Sequence, residues 1–190
     1  LIRSTMTSFI KWSRKNRYTT ITTEDVSIPK NAPVIGKKIL QPEDLKKLFG
    51  CQPKLYSNLY KLGVLTGLRP GELIGLKWED ISGNDMRVRR SINRENQITP
   101  GKNENAKRPI RLSKYELQVL SDQKDATRLR GVISPWVFPA QDGDHAAQKF
   151  VSRSWAALCK AEGITPGITM YGLRHTFVSM TGDMPDGLKK

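Results

Sequence analysis

The chain has 190 residues, of which 32 are lysine or arginine and 18 are aspartate or glutamate, so its net charge is +14. Hydrophobic residues make up 37% of the sequence, which is enough for a packed core and excludes a wholly disordered chain. The apolar stretches are too short to cross a bilayer, and two distant cysteines do not form the framework of a disulfide-rich secreted protein. The positive charge predicts a nucleic-acid partner, with a merely solvated basic surface as the alternative.

The first predicted element is a helix over residues 1–17 that has an apolar face and a basic end. Its apolar residues recur at helical spacing: Ile2, Met6, Phe9 and Ile10. Four cations gather towards its end: Lys11, Arg14, Lys15 and Arg17. Cations at this position either complement the negative end of the helix dipole or contact a phosphate, and the sequence leaves both readings open.

A linker follows the first helix. Residues 18–38 show no helical or strand periodicity and contain paired threonines and two prolines. The remaining residues, 39–190, carry regular patterns almost throughout, so they predict one larger domain.

Three helices are predicted next, each delimited by residues that favour helix ends. The first begins at Pro42, continues with acidic residues that suit its positive end, and ends at Gly50. The second helix ends at Gly67, and the third begins at Pro70.

Short strands are predicted in the middle of the chain. Segments 85–92, 96–99 and 108–113 have strand-like patterns and are separated by Gly-Asn and Pro-Gly turn signals. Together they predict a small three-stranded antiparallel sheet. With helices on either side of it in sequence, the predicted fold class is mainly α with one small sheet, an α+β protein.

Helices return in the last third of the chain. Ser113 and Glu116 have the spacing of a capping box at the start of one helix, and residues 136–140 predict a short buried extended segment. The next helix ends at Gly163, and the last begins after Thr169. One face of the helix before Gly163 is apolar and predicted to be buried: Val151, Trp155, Leu158 and Cys159.

The last helix separates apolar from polar side chains. Four apolar residues share the face that we assign to the core: Met170, Leu173, Phe177 and Met180. Tyr171, Arg174 and His175 fall on the opposite side. An arginine and two hydrogen-bonding rings near a helix start favour an anion site, although an ordinary polar face has the same pattern.

Two further cations stand in predicted turns. Arg69 lies between Gly67 and Pro70, just before a helix start, where it meets either an anion or the carboxylate of Glu72. Lys102 lies in a turn between two predicted strands, where a lysine is commonly just solvated. Neither residue identifies a function by itself.

Taken together, these segments resemble the catalytic domain of tyrosine recombinases, the integrase type of mobile elements. The stretch "TGLRPGELIGLKWEDI" is similar to the first arginine box of that family, "GKNENAKRPIRL" to its lysine hairpin, and "MYGLRHTFVSM" to its second arginine box. The resemblance covers about residues 35–190. Residues 1–17 resemble the last helix of the preceding core-binding domain. The implied fold is the catalytic core of the DNA breaking-rejoining enzymes.

The resemblance implies an enzyme that cuts DNA through a 3′-phosphotyrosyl intermediate, with no metal and no cofactor. Arg69 and Arg174 are then the two guanidinium groups that neutralise the phosphate in the transition state, where each can bind it bidentately. Lys102 would give a proton to the leaving 5′ oxygen.

The same resemblance implies one further catalytic residue, Tyr171, and two supporting residues, Glu72 and His175. Tyr171 occupies the position of the family's histidine, and we expect it to donate a hydrogen bond to phosphate, because a phenol is a poor proton shuttle near neutral pH. His175 is expected to be structural. Glu72 is expected to brace Arg69.

The implied partner is double-stranded DNA, bound by a tetramer when the protein is full length, away from membranes and in the bacterial cytoplasm at the nucleoid. The residues that we expect to contact DNA outside the catalytic set are basic: Lys11, Arg14, Lys15, Arg17, Arg89, Arg90, Lys107 and Arg108.

The chain departs from the family pattern at its end. The Gly-His box and the nucleophilic tyrosine do not follow the second arginine box, so we expect a truncated catalytic domain that binds DNA but does not cut it. A non-catalytic duplex-DNA-binding regulator on the same fold is the first alternative. An RNA-associated or ribosome-associated basic protein is the second, and it gives no reason for two arginines at helix starts.

Overall fold

The chain folds as two units, Leu1–Gly36 and Lys37–Lys190. The computed structural model describes residues 2–25, 36, 38–100 and 109–182. The predicted first helix and residues 18–36 of the predicted linker belong to the first unit, which ends two residues before the predicted linker does. Among the described residues, no helix has the length and apolarity that crossing a bilayer requires.

Helix α1, Ile2–Lys15, forms the first unit together with a 3-10 turn at Thr23–Asp25. Of its predicted apolar face, Ile10 is buried but Phe9 is 57% exposed. Phe9 stacks on Trp12 with a distance of 6.2 Å between ring centroids. The helix pattern is confirmed, but the aromatic side chains lie on the surface of this unit.

The second unit contains most of the helices and every strand among the described residues. Its helices are α2 Pro42–Gly50, α3 Ser57–Thr66, α4 Pro70–Ile74, α5 Lys114–Leu129, α6 Gln148–Glu162 and α7 Met170–Gly182. Its strands are β1 Ile81–Ser82, β2 Asp85–Arg87, β3 Arg90–Ile92, β4 Ile98–Pro100 and β5 Pro109–Arg111. This content confirms the predicted α+β fold class.

Helix α3 is the centre of the second unit and packs against α4, α5 and α7. Seven of its ten residues are buried, so it is enclosed on all sides. Leu59 and Leu62 are fully buried, and burying each such side chain stabilises the fold by about 2 kcal/mol. The ring of Tyr60 packs against Trp155 of α6 at an interplanar angle of 58°, and its hydroxyl donates to the carbonyl of Val151 at 2.9 Å.

The strands are arranged differently from the prediction. A three-stranded antiparallel sheet exists, in the order β1-β2-β5, but it contains Ile81–Ser82, which we did not assign to a strand. Segment 85–92 is divided into β2 and β3, and β3 pairs with β4 in a separate two-stranded ladder. Because strand pairing joins residues that are distant in sequence, local patterns could not reveal that this segment contributes one strand to each of two sheets.

The predicted helix ends are confirmed because local backbone chemistry determines them. Pro42 and Pro70 each occupy the first turn of their helix. Gly67 and Gly163 follow α3 and α6 in the left-handed conformation, with φ of 64° and 63°. At the start of α5, the backbone N–H of Ser113 donates to the Glu116 carboxylate at 2.9 Å, as a capping box requires.

Helix α7 buries a different face from the predicted one. Met170 and Leu173 are buried as expected, but Met180 is 55% exposed, so its assignment to the core is wrong. Thr176 is buried instead, and its hydroxyl accepts a hydrogen bond from the backbone N–H of Leu40 at 2.9 Å. This hydrogen bond fixes the rotation of the helix, and side-chain polarity alone did not reveal it.

Both cysteines are buried and unbonded, as predicted. Burial raises the pKa of the Cys159 thiol to about 11, and it also raises the pKa of Cys51. The thiolate is the reactive form, so both side chains are expected to be inert near neutral pH.

One buried carboxylate ties the start of α2 to the loop before α7. Asp44 accepts hydrogen bonds from the backbone N–H of Thr165 at 2.9 Å, from its hydroxyl at 3.2 Å, and from the backbone N–H of Gln41 at 3.1 Å. Burial acts to raise the pKa of Asp44, but these hydrogen bonds and the charge of Lys47 outweigh it and hold the pKa below its ordinary value.

We expect Asp44→Asn to lower the free energy of unfolding by about 1–3 kcal/mol at neutral pH, because an amide cannot accept all three hydrogen bonds. Since the pKa of Asp44 is lowered by folding, its contribution is present above the unfolded pKa of about 3.9 and is lost as the pH falls through the folded value. Urea unfolding at neutral pH and near pH 3 measures this change.

The matched control is Glu43→Gln, which changes an exposed neighbour that pairs only with Lys46. It should alter stability little at either pH. A stability difference between wild type and Asp44→Asn that is independent of pH would contradict the assigned role of the carboxylate.

Candidate phosphate-binding site

The turn between α3 and α4 holds Arg69 in a fixed orientation. The backbone N–H of Arg69 donates to Oε2 of Glu72 at 2.8 Å, and its guanidinium Nη1 donates to Oε1 of the same carboxylate at 2.8 Å. Glu72 is buried, whereas the Arg69 side chain is 40% exposed. The Glu72 carboxylate therefore accepts hydrogen bonds from both the backbone and the guanidinium of Arg69, and part of the guanidinium remains open to solvent.

Helix α7 is seated on this same turn. The ring of Phe177 covers Gly67 so closely that a Cβ atom on Gly67 would lie 2.3 Å from Cδ1 of Phe177. The φ of +64° independently requires glycine at this position. Next to it, Leu173 packs against Gly63 of α3, where an added Cβ would come within 3.3 Å of its Cδ1.

The contact between α7 and the turn brings the two predicted arginines together. Nη1 of Arg174 donates a hydrogen bond to the carbonyl oxygen of Gly67. Gly67 and Arg69 are two residues apart, so their Cα atoms are separated by at most about 7 Å. The Arg174 guanidinium therefore lies at the turn that carries Arg69, and both arginines are only partly buried.

The other two polar residues of the α7 face differ in exposure. Tyr171 is 48% exposed, and its hydroxyl has no hydrogen-bond partner among the described residues. His175 is half-buried and likewise makes no hydrogen bond to any residue that the structure describes. A free phenol at the start of α7 can donate to an anion that approaches the arginines.

An open groove of about 1020 Å³ runs from this turn along α6. Pro70 and Tyr171 are among its lining residues, together with the apolar Trp155, Ile168 and Met170. Four cations also line it: Arg94, Lys149, Arg153 and Lys160. A cleft with charges of one sign above an apolar floor concentrates its electrostatic potential, so this groove favours an extended anion.

Arg90 has a different environment from the one expected of a DNA contact. Its guanidinium donates to both carboxylate oxygens of Asp80, at 2.7 and 3.3 Å, and to Glu79 at 2.8 Å. It is 14% exposed, while the side chain of Asp80 is 1% exposed. Arg89 also reaches Asp80, at 3.4 Å, but remains 53% exposed. Arg90 therefore joins β3 to the turn before β1, and of the two arginines only Arg89 is open to solvent.

The remaining predicted residues belong to the first unit or lie outside the described residues. Lys11, Arg14, Lys15 and Arg17 belong to the first unit, where all four are exposed. The segment that contains Lys102, Lys107 and Arg108 lies outside the described residues. Their expected roles stay predictions.

Four cations that border the groove were not singled out from the sequence: Arg94, Lys149, Arg153 and Lys160. Lys149 and Arg153 are four residues apart on α6, beside the predicted buried face of that helix. Basic residues at this spacing opposite an apolar face are a signal that we could have used. Arg94 lies in the turn between β3 and β4 and has no comparable signal.

A comparison with protein-family models matches residues 38–180 to the phage integrase family. Among curated proteins, the chain is 28% identical over 168 residues to the ICEBs1 integrase of Bacillus subtilis strain 168, which covers 80% of this chain and 45% of the relative. It is 31% identical over 177 residues to IntQ of Escherichia coli strain K12, named as a defective protein, which covers 80% and 44%. The chain spans about half the length of these curated relatives.

The fold is also similar to a solved structure of the Tn1549 transposon integrase in complex with circular intermediate DNA. The TM-score is 0.78, and the match covers 97% of this chain and 66% of that chain. The sequence identity is 16%, so the likeness shows the fold alone.

We expect Gly67→Ala to lower the free energy of unfolding by about 2–4 kcal/mol, because an alanine is strained at this φ and its Cβ overlaps the Phe177 ring. Urea unfolding measures the loss. The matched control is Gly50→Ala, where a Cβ meets no atom within 4 Å, and it should change stability by less than about 1 kcal/mol. Equal effects of the two substitutions would show that the turn does not depend on the close contact with Phe177.

Proposed function

Because the chain belongs to the phage integrase family, we propose that it carries the phosphate-binding part of a site-specific DNA recombinase and that its partner is duplex DNA. The observation that supports this function best is the hydrogen bond from Arg174 to the carbonyl of Gly67, in the turn that presents Arg69. It places the Arg174 guanidinium at the turn that carries Arg69, and the stabilisation of a pentavalent phosphate calls for permanently charged groups of this kind.

Arginine suits this task better than lysine. A guanidinium stays protonated at all relevant pH values and can donate two parallel hydrogen bonds to one phosphate. Glu72 holds Arg69 before any ligand binds, so little reorganisation is needed when the negative charge of the transition state develops. Removing one such preorganised donor typically raises a barrier by about 3–4 kcal/mol.

We propose that Tyr171 donates a hydrogen bond to a non-bridging phosphate oxygen and is not the nucleophile. Tyr171 is 48% exposed and lines the groove together with Pro70, the residue that follows Arg69. Tyr56 and Tyr60 are poor candidates for the nucleophile, because both are buried and burial raises the pKa of both hydroxyls. Tyr115 lies on α5 and Tyr18 in the first unit.

In the complete reaction, a tyrosine oxygen would form a bond to phosphorus, and the bond between phosphorus and the 5′ oxygen would break. We propose that Lys102 supplies the proton that the 5′ oxygen takes up. Phosphotyrosine conserves the energy of the broken bond, so the reverse step can rejoin strands without a cofactor.

The DNA is proposed to extend from the arginines along the groove beside α6. Lys149 and Arg153 lie on its rim, and neither makes an ion pair within the part of the chain that the structure describes. Cations without internal partners can neutralise phosphates at little cost. The exposed basic residues of α1 would add contacts from the first unit.

A titration with inorganic phosphate tests whether Arg69 and Arg174 bind the same phosphate. It is followed through the Nε–Hε resonances of the arginines in nitrogen-15 NMR spectra. In the wild-type chain, phosphate should shift the resonances of Arg69 and Arg174 with one common affinity. In Arg174→Ala the shift at Arg69 should weaken at least about tenfold in affinity, and Arg69→Ala should do the same to Arg174. Independent responses would mean that the two arginines do not share an anion.

Arg128→Ala is the matched control for this titration. Arg128 is an exposed arginine of α5 that pairs with Asp125. Its removal should leave the phosphate affinity of both site arginines unchanged.

A second test addresses the nucleophile. The chain is incubated with a nicked duplex. We expect the complex to retard the DNA in a native gel, and we expect no covalent adduct when the same complex is denatured in detergent. If an adduct forms and Tyr171→Phe abolishes it, Tyr171 is the nucleophile and its role as a hydrogen-bond donor is wrong. Absence of any DNA binding at moderate salt would contradict the proposed function itself.

A further inference from the structure

We propose that Arg94, in the turn between β3 and β4, is a further contact to a DNA phosphate and that Asn93 and Asn96 hold it in position. This inference rests on the proposed function in one respect, that duplex DNA is the ligand of the groove. It concerns a hairpin turn that the sequence motifs did not single out.

The turn that carries Arg94 is organised by one side chain. Oδ1 of Asn93 accepts hydrogen bonds from the backbone N–H groups of Glu95 at 3.0 Å and Gln97 at 2.8 Å. Its Nδ2 donates to Oε1 of Gln97 at 3.0 Å. Asn96 adopts a left-handed φ of 59°, which asparagine tolerates better than most residues. The backbone of the turn is therefore fixed without help from a ligand.

The hairpin is docked at both of its ends. At its base, β3 approaches α4 so closely that a Cβ atom on Gly71 would lie 2.4 Å from the carbonyl oxygen of Ile92. At its tip, Oδ1 of Asn96 faces the first backbone N–H of α6, that of Gln148, at 3.4 Å. The hairpin thus bridges the helix that follows Arg69 and the helix that lines the groove.

Arg94 is left free at this position. It is exposed and makes no hydrogen bond or ion pair with any described residue, in contrast to Arg90 at the base of the same hairpin, which two carboxylates engage. Arg94 borders the groove together with Pro70 and Tyr171. A fixed backbone that carries an unpaired guanidinium to the rim of a basic groove is suited to a phosphate.

Glu95, next to Arg94, provides a second test, in which the expected change in DNA affinity has the opposite sign. Glu95 is exposed and forms no ion pair with Arg94 in the described structure. If DNA phosphates approach this turn, the charge of Glu95 opposes them. Neutralising Glu95 should therefore strengthen binding, whereas neutralising Arg94 should weaken it.

The experiment measures the affinity for a fluorescent duplex by anisotropy across a range of salt concentrations. Arg94→Ala should lower the slope of log affinity against log salt by about 0.9, the value for one lost phosphate contact. Arg94→Lys should retain the slope, and Glu95→Gln should raise affinity roughly twofold at low salt. Lys124→Ala is the matched control, because Lys124 is an exposed cation of α5 away from the groove and should leave the slope unchanged.

Asn93→Ala tests the positioning of Arg94. It should weaken DNA binding in the wild-type background but have no further effect in Arg94→Ala, because it acts through that arginine. Thermal unfolding of each variant separates this outcome from a loss of folding. An unchanged slope in a folded Arg94→Ala variant that still binds duplex DNA would overturn the inference and leave the proposed function intact. Failure of the wild-type chain to bind duplex DNA would instead remove the proposed function.

Discussion

The hydrogen bond between Arg174 and the carbonyl of Gly67 is the contact on which the site depends. It is possible only because Gly67 lacks a side chain, since the Phe177 ring occupies the space where a Cβ atom would stand. The same glycine ends α3 in a left-handed conformation and turns the chain towards Arg69. Gly67 thus ends α3, allows α7 to pack closely on the turn and accepts the hydrogen bond of Arg174.

The distribution of carboxylates explains how a chain with a net charge of +14 folds and still keeps a basic face. Three buried carboxylates accept hydrogen bonds from other parts of the protein. Asp44 joins α2 to the loop before α7, Glu72 accepts from Arg69, and Asp80 accepts from Arg90. A buried carboxylate is stable only when hydrogen bonds and cations compensate its lost hydration, and each of these has such partners. The cations around the groove form no ion pair in the described structure, so their charge remains available to a ligand.

Features that depend on neighbouring residues were predicted correctly from the sequence, whereas features that depend on contacts between distant residues were not. Helix ends at Pro42, Gly67 and Gly163 were predictable because proline and glycine act on their own backbone. The division of segment 85–92 between two sheets was not predictable, because the partners of a strand lie elsewhere in the chain. The exposure of Met180 had the same cause, since the rotation of α7 depends on a hydrogen bond to Leu40. The ion pairs of Arg90 with Asp80 and Glu79 were not predictable for the same reason. They depend on tertiary contacts, and acidic residues of this kind are also common on protein surfaces.

By itself, the sequence determined the fold class, the basic character of the protein, the limits of its helices and the motifs that identified two arginines as a pair. These properties depend on composition and on contacts within a few residues, which can be read along a chain. Only the tertiary structure decided that Arg174 reaches the turn that carries Arg69, that Arg90 pairs with buried Asp80, and that Arg94, Lys149 and Arg153 border one groove. These outcomes depend on packing between distant segments, whose geometry is set by the whole core.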